Sequence, residues 1–100
     1  MNTFFLSKAA LKDFKSIGLY TQRHWGAEKR TQYLQGLNAS FQRLTESPMI
    51  GVDADYVELG LKKQLYESHI IFYEIMDNQD ILIIRILHKS MDVKSHLSRV

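Results

Sequence analysis

The sequence predicts an α+β fold of two layers, with an N-terminal strand and a helical hairpin packed on one face of a mainly antiparallel sheet. Three observations carry this. Two consecutive stretches repeat apolar residues at helical spacing with one glycine between them. The second stretch is closed by the only proline of the chain. Beyond residue 60 the helical period gives way to short apolar runs of strand length. With 100 residues, residues 1–100 are expected to form a single domain around one core.

Each element has a local reason. Thr3 to Leu6 is short, apolar and aromatic, which reads as a strand. Ser7 follows as a helix cap, because its hydroxyl can accept an orphan amide hydrogen. Ala10, Phe14, Ile17, Thr21 and Trp25 then recur at steps of four, three, four and four, giving one face of a helix with Trp25 closing the core stripe. Gly18 costs about 1 kcal/mol against alanine there, a cost that a close crossing by a neighbouring element explains. Gly26 ends the helix. A second helix begins near Ala27 and buries Leu34, Leu37, Phe41 and Leu44 until Pro48 stops it. Residues 49–60 read as a connection. Leu61–Tyr66, His69–Met76 and Ile81–His88 read as strands joined by polar turns, the middle one central because both its faces are apolar. Met91 to Leu97 supplies a last helical turn or two.

Alternation along the last strand places Leu82, Ile84 and Ile86 on the side the helices cover and Ile83, Arg85 and Leu87 on the other. Arg85 then needs a partner, either Glu74 or another acid of residues 51–80, or a bound molecule. His88, Lys89, Ser90, Met91 and Asp92 crowd the end of that strand, a usual location for function; alternatively this is a polar strand end in which Asp92 caps the following turn.

Composition excludes much chemistry. The chain has no cysteine, so disulfides, thiolate zinc sites, iron–sulfur clusters and thiol nucleophiles are out, and a reducing compartment such as the cytoplasm fits. No apolar run approaches the roughly 20 residues of a membrane span, so no membrane is expected. His24, His69, His88 and His96 lack the spacing of a metal site, and no glycine-rich phosphate loop or nucleophile elbow exists, so neither metal nor other cofactor is expected. The net charge of +2 is small, but residues 8–30 carry six basic side chains against two acidic ones, and residues 51–80 carry seven acidic against two basic. Arg85, Lys89, Lys94 and Arg99 swing the C-terminal stretch back to basic. These are either ordinary solvated faces or a basic end that meets an acidic partner. One enzymatic route survives: RNA cleavage using Lys63, Arg85, His88, Lys89 and His96, with Tyr20 and Trp25 available to stack on bases. On the same residues, His69 reads as a hydrogen-bonded structural histidine.

An ordered series of motifs resembles the ParE toxins of bacterial toxin–antitoxin modules, within the wider RelE/ParE superfamily. It runs from Leu6-Ser7 with Ala9-Ala10 and Asp13, through Arg23-His24-Trp25-Gly26, to Tyr33-Leu34, Phe41, Leu44 and Ser47-Pro48-Met49-Ile50-Gly51. It ends in Ser68-His69-Ile70-Ile71-Phe72-Tyr73 and Arg85-Ile86-Leu87-His88-Lys89-Ser90-Met91-Asp92. The resemblance implies a RelE/ParE-like fold and a non-enzymatic toxin that binds DNA gyrase, traps it on cleaved DNA, and is neutralised in a hetero-oligomer by a ParD-like antitoxin. Arg85, His88, Lys89, Met91 and Asp92 are then expected to carry toxicity. Lys12, Lys15, Arg23 and Lys62 are expected to meet the antitoxin, which would use an apolar groove beside the hairpin and the sheet edge. Direct sequence-specific binding of nucleic acid is not expected. The other branch of the superfamily, whose RelE-like members cut mRNA, is the alternative. The sequence departs from the ParE pattern at Lys62-Lys63, where arginine is more frequent, and at Gln64–Glu67, which lacks a frequent proline and glycine.

Overall fold

The computed structural model describes residues 2–97; Arg99 lies outside the described residues. The chain runs β1 (Phe4–Leu6), α1 (Lys8–Trp25), α2 (Ala27–Glu46), a 3₁₀ turn (Pro48–Ile50), β2 (Val52–Asp53), β3 (Lys62–Tyr66), β4 (His69–Ile75), β5 (Ile81–His88) and α3 (Val93–His96). The sheet order is β1-β5-β4-β3-β2, so β4 is central as expected. All pairings are antiparallel except that of β1 with β5. The connection read over residues 49–60 thus contains the 3₁₀ turn and a two-residue edge strand.

Ser7 joins the first strand to the first helix. Its hydroxyl accepts the Ala10 amide at 3.0 Å and donates to the Ile84 carbonyl at 2.8 Å, so one side chain caps α1 and fastens it to β5. At Gly26 the backbone takes φ +94° between the two helices, a conformation in which any side chain is strained. Gly18 explains itself by proximity: a Cβ there would stand 3.1 Å from Leu34 Cδ1, so its absence lets α1 and α2 close together.

Between hairpin and sheet lies the main apolar cluster, with Ala10, Ile17, Leu37, Phe41 and Leu44 from the helices meeting Ile71, Tyr73, Ile81, Ile83 and Ile86. Tyr73 is fully buried. Its hydroxyl donates to the Pro48 carbonyl at 2.7 Å and accepts the Gly51 amide at 3.0 Å, tying the chain after α2 to the sheet. Burial pushes this phenol above its ordinary pKa. The opposite face of the sheet is also covered, by residues 54–61 and α3. Ala54, Leu61, Phe72, Ile84, Leu87 and Leu97 form a second cluster there.

Two sequence expectations are corrected. The helices cover Ile81, Ile83 and Ile86, whereas Leu82 and Ile84 belong to the second cluster. The cause is a bulge: Phe72 pairs with Arg85 but Tyr73 pairs with Ile83, so Ile84 is an extra residue and the alternation reverses phase across it. Trp25 is not core but 69% exposed. It is the last residue of α1, at the side of an open groove rather than under a packed layer.

Candidate functional site

The end of β5 and the turn after it form the first candidate region. His88 lies opposite His69 in the strand register, and the two rings meet edge to face at 5.3 Å. The chain then turns sharply: the Lys89 amide donates to the Ser68 carbonyl and the Met91 amide to the His88 carbonyl, both at 2.9 Å. His88 Nδ1 accepts the Ser90 amide at 3.1 Å, which holds the ring to the turn it precedes. Lys89 and Asp92 are exposed, and Met91 is 44% exposed. Asp92 caps α3, accepting from the Lys94 amide and the Ser95 hydroxyl. The Ser95 hydroxyl in particular holds the Asp92 carboxyl below its usual range. The structure therefore brings His88, Lys89, Met91 and Asp92 into one short turn, and Asp92 takes the capping role open to it in the sequence.

Arg85 faces elsewhere. Its partner is Asp13 of α1, from outside the acidic segment expected to supply it. Nε and Nη2 grip the two carboxylate oxygens at 2.7 and 2.9 Å, a two-pronged geometry available to arginine and not to lysine. Asp13 also accepts the Ile86 amide at 2.9 Å, so it closes the edge of β5 beyond the reach of β1. Nη1 donates to the His96 carbonyl in α3. Hydrogen bonding to Asp13 raises the guanidinium pKa further, against the opposing effect of burial.

His69 is joined to α2, with Tyr33 Oη and its Nδ1 2.6 Å apart. Tyr33 and Tyr66 pack edge to face at 5.2 Å, completing an aromatic cluster under the turn. Burial above all, then the neighbouring His88, lowers the His69 pKa from 6.5 to about 4, while Asp13 opposes the shift. At neutral pH His69 is an uncharged structural residue, as its position at the head of a central strand predicts. Sequence reasoning missed the partnership of Tyr33 and Tyr66 with it. Tyr33 stood out only as a family motif, because the contact spans 36 positions.

Of the five candidates for RNA cleavage, Lys63 stands apart, and Arg85 and His96 meet only through the His96 carbonyl. Lys63 and Arg85 both pair with Phe72, from opposite sides, so they sit two strands apart with a fully buried phenylalanine between them. Lys63 turns to the Tyr56 hydroxyl at 3.0 Å. Arg85 is taken by Asp13, and His96 Nδ1 lies 2.9 Å from the Asp92 carbonyl. Tyr20 stacks on His24 with ring centres 4.0 Å apart. Trp25 instead lines an open groove of about 470 Å³ with Thr21, Lys29, Gln32, Tyr33, Tyr66 and Glu67. Among the described residues, no three His, Asp or Glu side chains are grouped to hold a metal ion, and no helix is long and apolar enough to cross a membrane.

The second candidate region is the outer face of α1. Lys8, Lys12, Lys15 and Arg23 are all exposed, at spacings that put them on one helical stripe. Leu19, 53% exposed, interrupts the stripe with an apolar side chain that the sequence pattern did not single out. Lys62 is separate. It is only 8% exposed and bonded to Asp53 at 2.8 Å, and that hydrogen bond raises its pKa against the cost of burial.

Residues 4–93 match the family model for the ParE toxin of the type II toxin–antitoxin system parDE. The chain belongs to the ParE toxin family. It is 31% identical to Toxin ParE1 of Caulobacter vibrioides over 97 residues, covering 97% of this chain and 99% of that one. It is 33% identical to Toxin ParE1 of Mycobacterium tuberculosis over 94 residues, covering 94% and 96% respectively. Among solved structures, a chain of the chromosomal ParDE TA system from P. aeruginosa superposes with a TM-score of 0.74 at 18% identity. That match covers 88% of this chain and 95% of the other, and shows a shared fold.

Proposed function

We propose that this ParE-family chain stops growth by binding DNA gyrase and holding it on cleaved DNA, and that a ParD-like antitoxin neutralises it. The family match over residues 4–93 carries the reading. The surface supports it. The turn after β5 offers an exposed cation, a thioether and a carboxylate in a fixed arrangement, with His88 packed beneath, which suits adhesion. Of the side chains that RNA cleavage would need, Lys63 lies two strands from Arg85, and Arg85 is engaged by Asp13, which speaks against general acid–base work. Residues 1–100 then act as one toxin domain in the cytoplasm, without cofactor, membrane or sequence-specific contact to nucleic acid.

The antitoxin, in a hetero-oligomer with the toxin, would lay an acidic amphipathic segment along Lys12, Lys15, Leu19 and Arg23, with charge steering the encounter and the leucine anchoring it. Lys62, committed to Asp53, is left out of that surface. The deciding experiment adds purified protein to a gyrase supercoiling and cleavage assay. Cleaved DNA accumulates, and alanine at Lys89 together with Met91 weakens the effect. Transcripts severed by the isolated protein while supercoiling proceeds would overturn the reading.

A further inference from the structure

The C-terminal helix is too short to hold itself. Four residues make barely one turn, and a helix of that length has no stability of its own in water. Two attachments fix it. Leu97 is buried in the second apolar cluster, with Val93 packed beside it. The His96 carbonyl, one of the acceptors that every helix end leaves unmatched, is met by Arg85 Nη1.

Arg85 can serve that carbonyl because two of its three nitrogens are held elsewhere. Asp13 takes Nε and Nη2 at 2.7 and 2.9 Å, and the Ile86 amide pins the same carboxylate at 2.9 Å. The guanidinium plane is thereby set by α1 and the edge of β5, and the one remaining nitrogen is aimed at α3. Without Asp13, a long flexible side chain at a partly open site would trade that aim for water.

We infer that Asp13 is a positioning residue for the toxic turn: through Arg85 it fixes α3, and so the geometry in which Lys89, Met91 and Asp92 are presented. Asp13 touches no target itself. The inference rests on the proposed function for its biological consequence, while its structural half stands apart from that function.

The test compares the full chain with Asp13→Asn, with Arg85→Lys, and with Tyr73→Phe as a destabilised control remote from α3. Amide hydrogen exchange reads α3 directly, because the Leu97 amide is bonded to the Val93 carbonyl. In Asp13→Asn that amide exchanges about tenfold faster or more, the factor expected when a hydrogen bond to a charged group is lost, while amides of β4 keep their protection. Arg85→Lys does the same, since a point charge cannot span carboxylate and carbonyl together. Titrated induction in cells then shows that both variants need more toxin to arrest growth, whereas Tyr73→Phe loses stability without selective loosening of α3.

Unchanged exchange at Leu97 in both variants overturns the inference. So does loosened exchange with undiminished growth arrest, which would show that the placing of α3 is irrelevant to toxicity. A wild-type chain that leaves both growth and gyrase undisturbed sinks the functional reading instead, and the exchange comparison still decides whether Asp13 positions α3.

Discussion

Lowering the pH from 7 to 5 crosses the range in which His69 distinguishes the folded chain from the unfolded one. In the fold its imidazole resists protonation down to a pKa of about 4, against 6.5 for the free group. The unfolded chain therefore binds a proton that the native state refuses. Stability associated with neutral His69 is fully present above pH 6.5 and is lost progressively as the pH falls toward 4. Taken at face value, the two pKa values give a loss of about 2 kcal/mol between pH 7 and 5. The ring is only half-buried, and solvent screening reduces the working figure to about 1 kcal/mol. For a domain of this size that is a fall in melting temperature of about 4–8 °C. Carboxylates also titrate at the acid end of this range, so the measurement is a difference. Thermal unfolding is followed at half-unit pH steps for the wild type and for His69→Asn, which keeps a polar atom near Nδ1 and carries no proton. The asparagine variant is less stable at pH 7 but less sensitive to acid, and the two curves converge by roughly 1 kcal/mol at pH 5. Parallel curves would refute the claim that His69 is held neutral by its burial beside Tyr33 and His88.

Gly36→Ala should destabilise the fold although alanine favours helix by about 1 kcal/mol. The added methyl would fall 1.7 Å from Tyr66 Oη, and displacing that ring from Tyr33 costs about 1–3 kcal/mol, readable by urea denaturation. Tyr73→Phe removes the donor to the Pro48 carbonyl and strands the Gly51 amide, for a loss of about 1–3 kcal/mol with the same assay. Reversing charge at Lys12 and Lys15 together should slow antitoxin association about tenfold at low ionic strength and flatten its salt dependence, as stopped-flow mixing would show; an unchanged rate would place the antitoxin elsewhere.

What the sequence reveals here is what local pattern governs. The first helix stripe places Ala10, Ile17 and Thr21 inward, and the second places Leu37, Phe41 and Leu44 inward, where all but Thr21 join the cluster against the sheet. The stripe misleads at Trp25 because periodicity does not say whether the neighbouring elements close over the last turn or leave an open groove there. Alternation fails in β5 because one extra residue at Ile84 reverses every side chain beyond it, and nothing in a run of isoleucine and leucine marks the place. Arg85 announces a need for a partner by its chemistry. That the partner is Asp13, 72 positions away, is a product of topology. The turn Lys89–Asp92 was legible as a polar strand end, whereas the commitment of Lys62 to Asp53 came from a short edge strand hidden in an apparent connection.

The pairing of Phe4–Leu6 with Ile81–Ile83 has a consequence for how the molecule is made. Among the described residues, β1 finds its one sheet neighbour 77 positions later, and Ser7 waits equally long for the Ile84 carbonyl. The hairpin of α1 and α2 can form early from local contacts, but the sheet that shelters its apolar stripe is completed only when β5 has emerged. Loop closure of that span is a late entropic cost in biosynthesis. A nascent fragment lacking β5 has neither a sheet partner for β1 nor the turn that follows β5, so the fold is not assembled until residues 81–88 have been made.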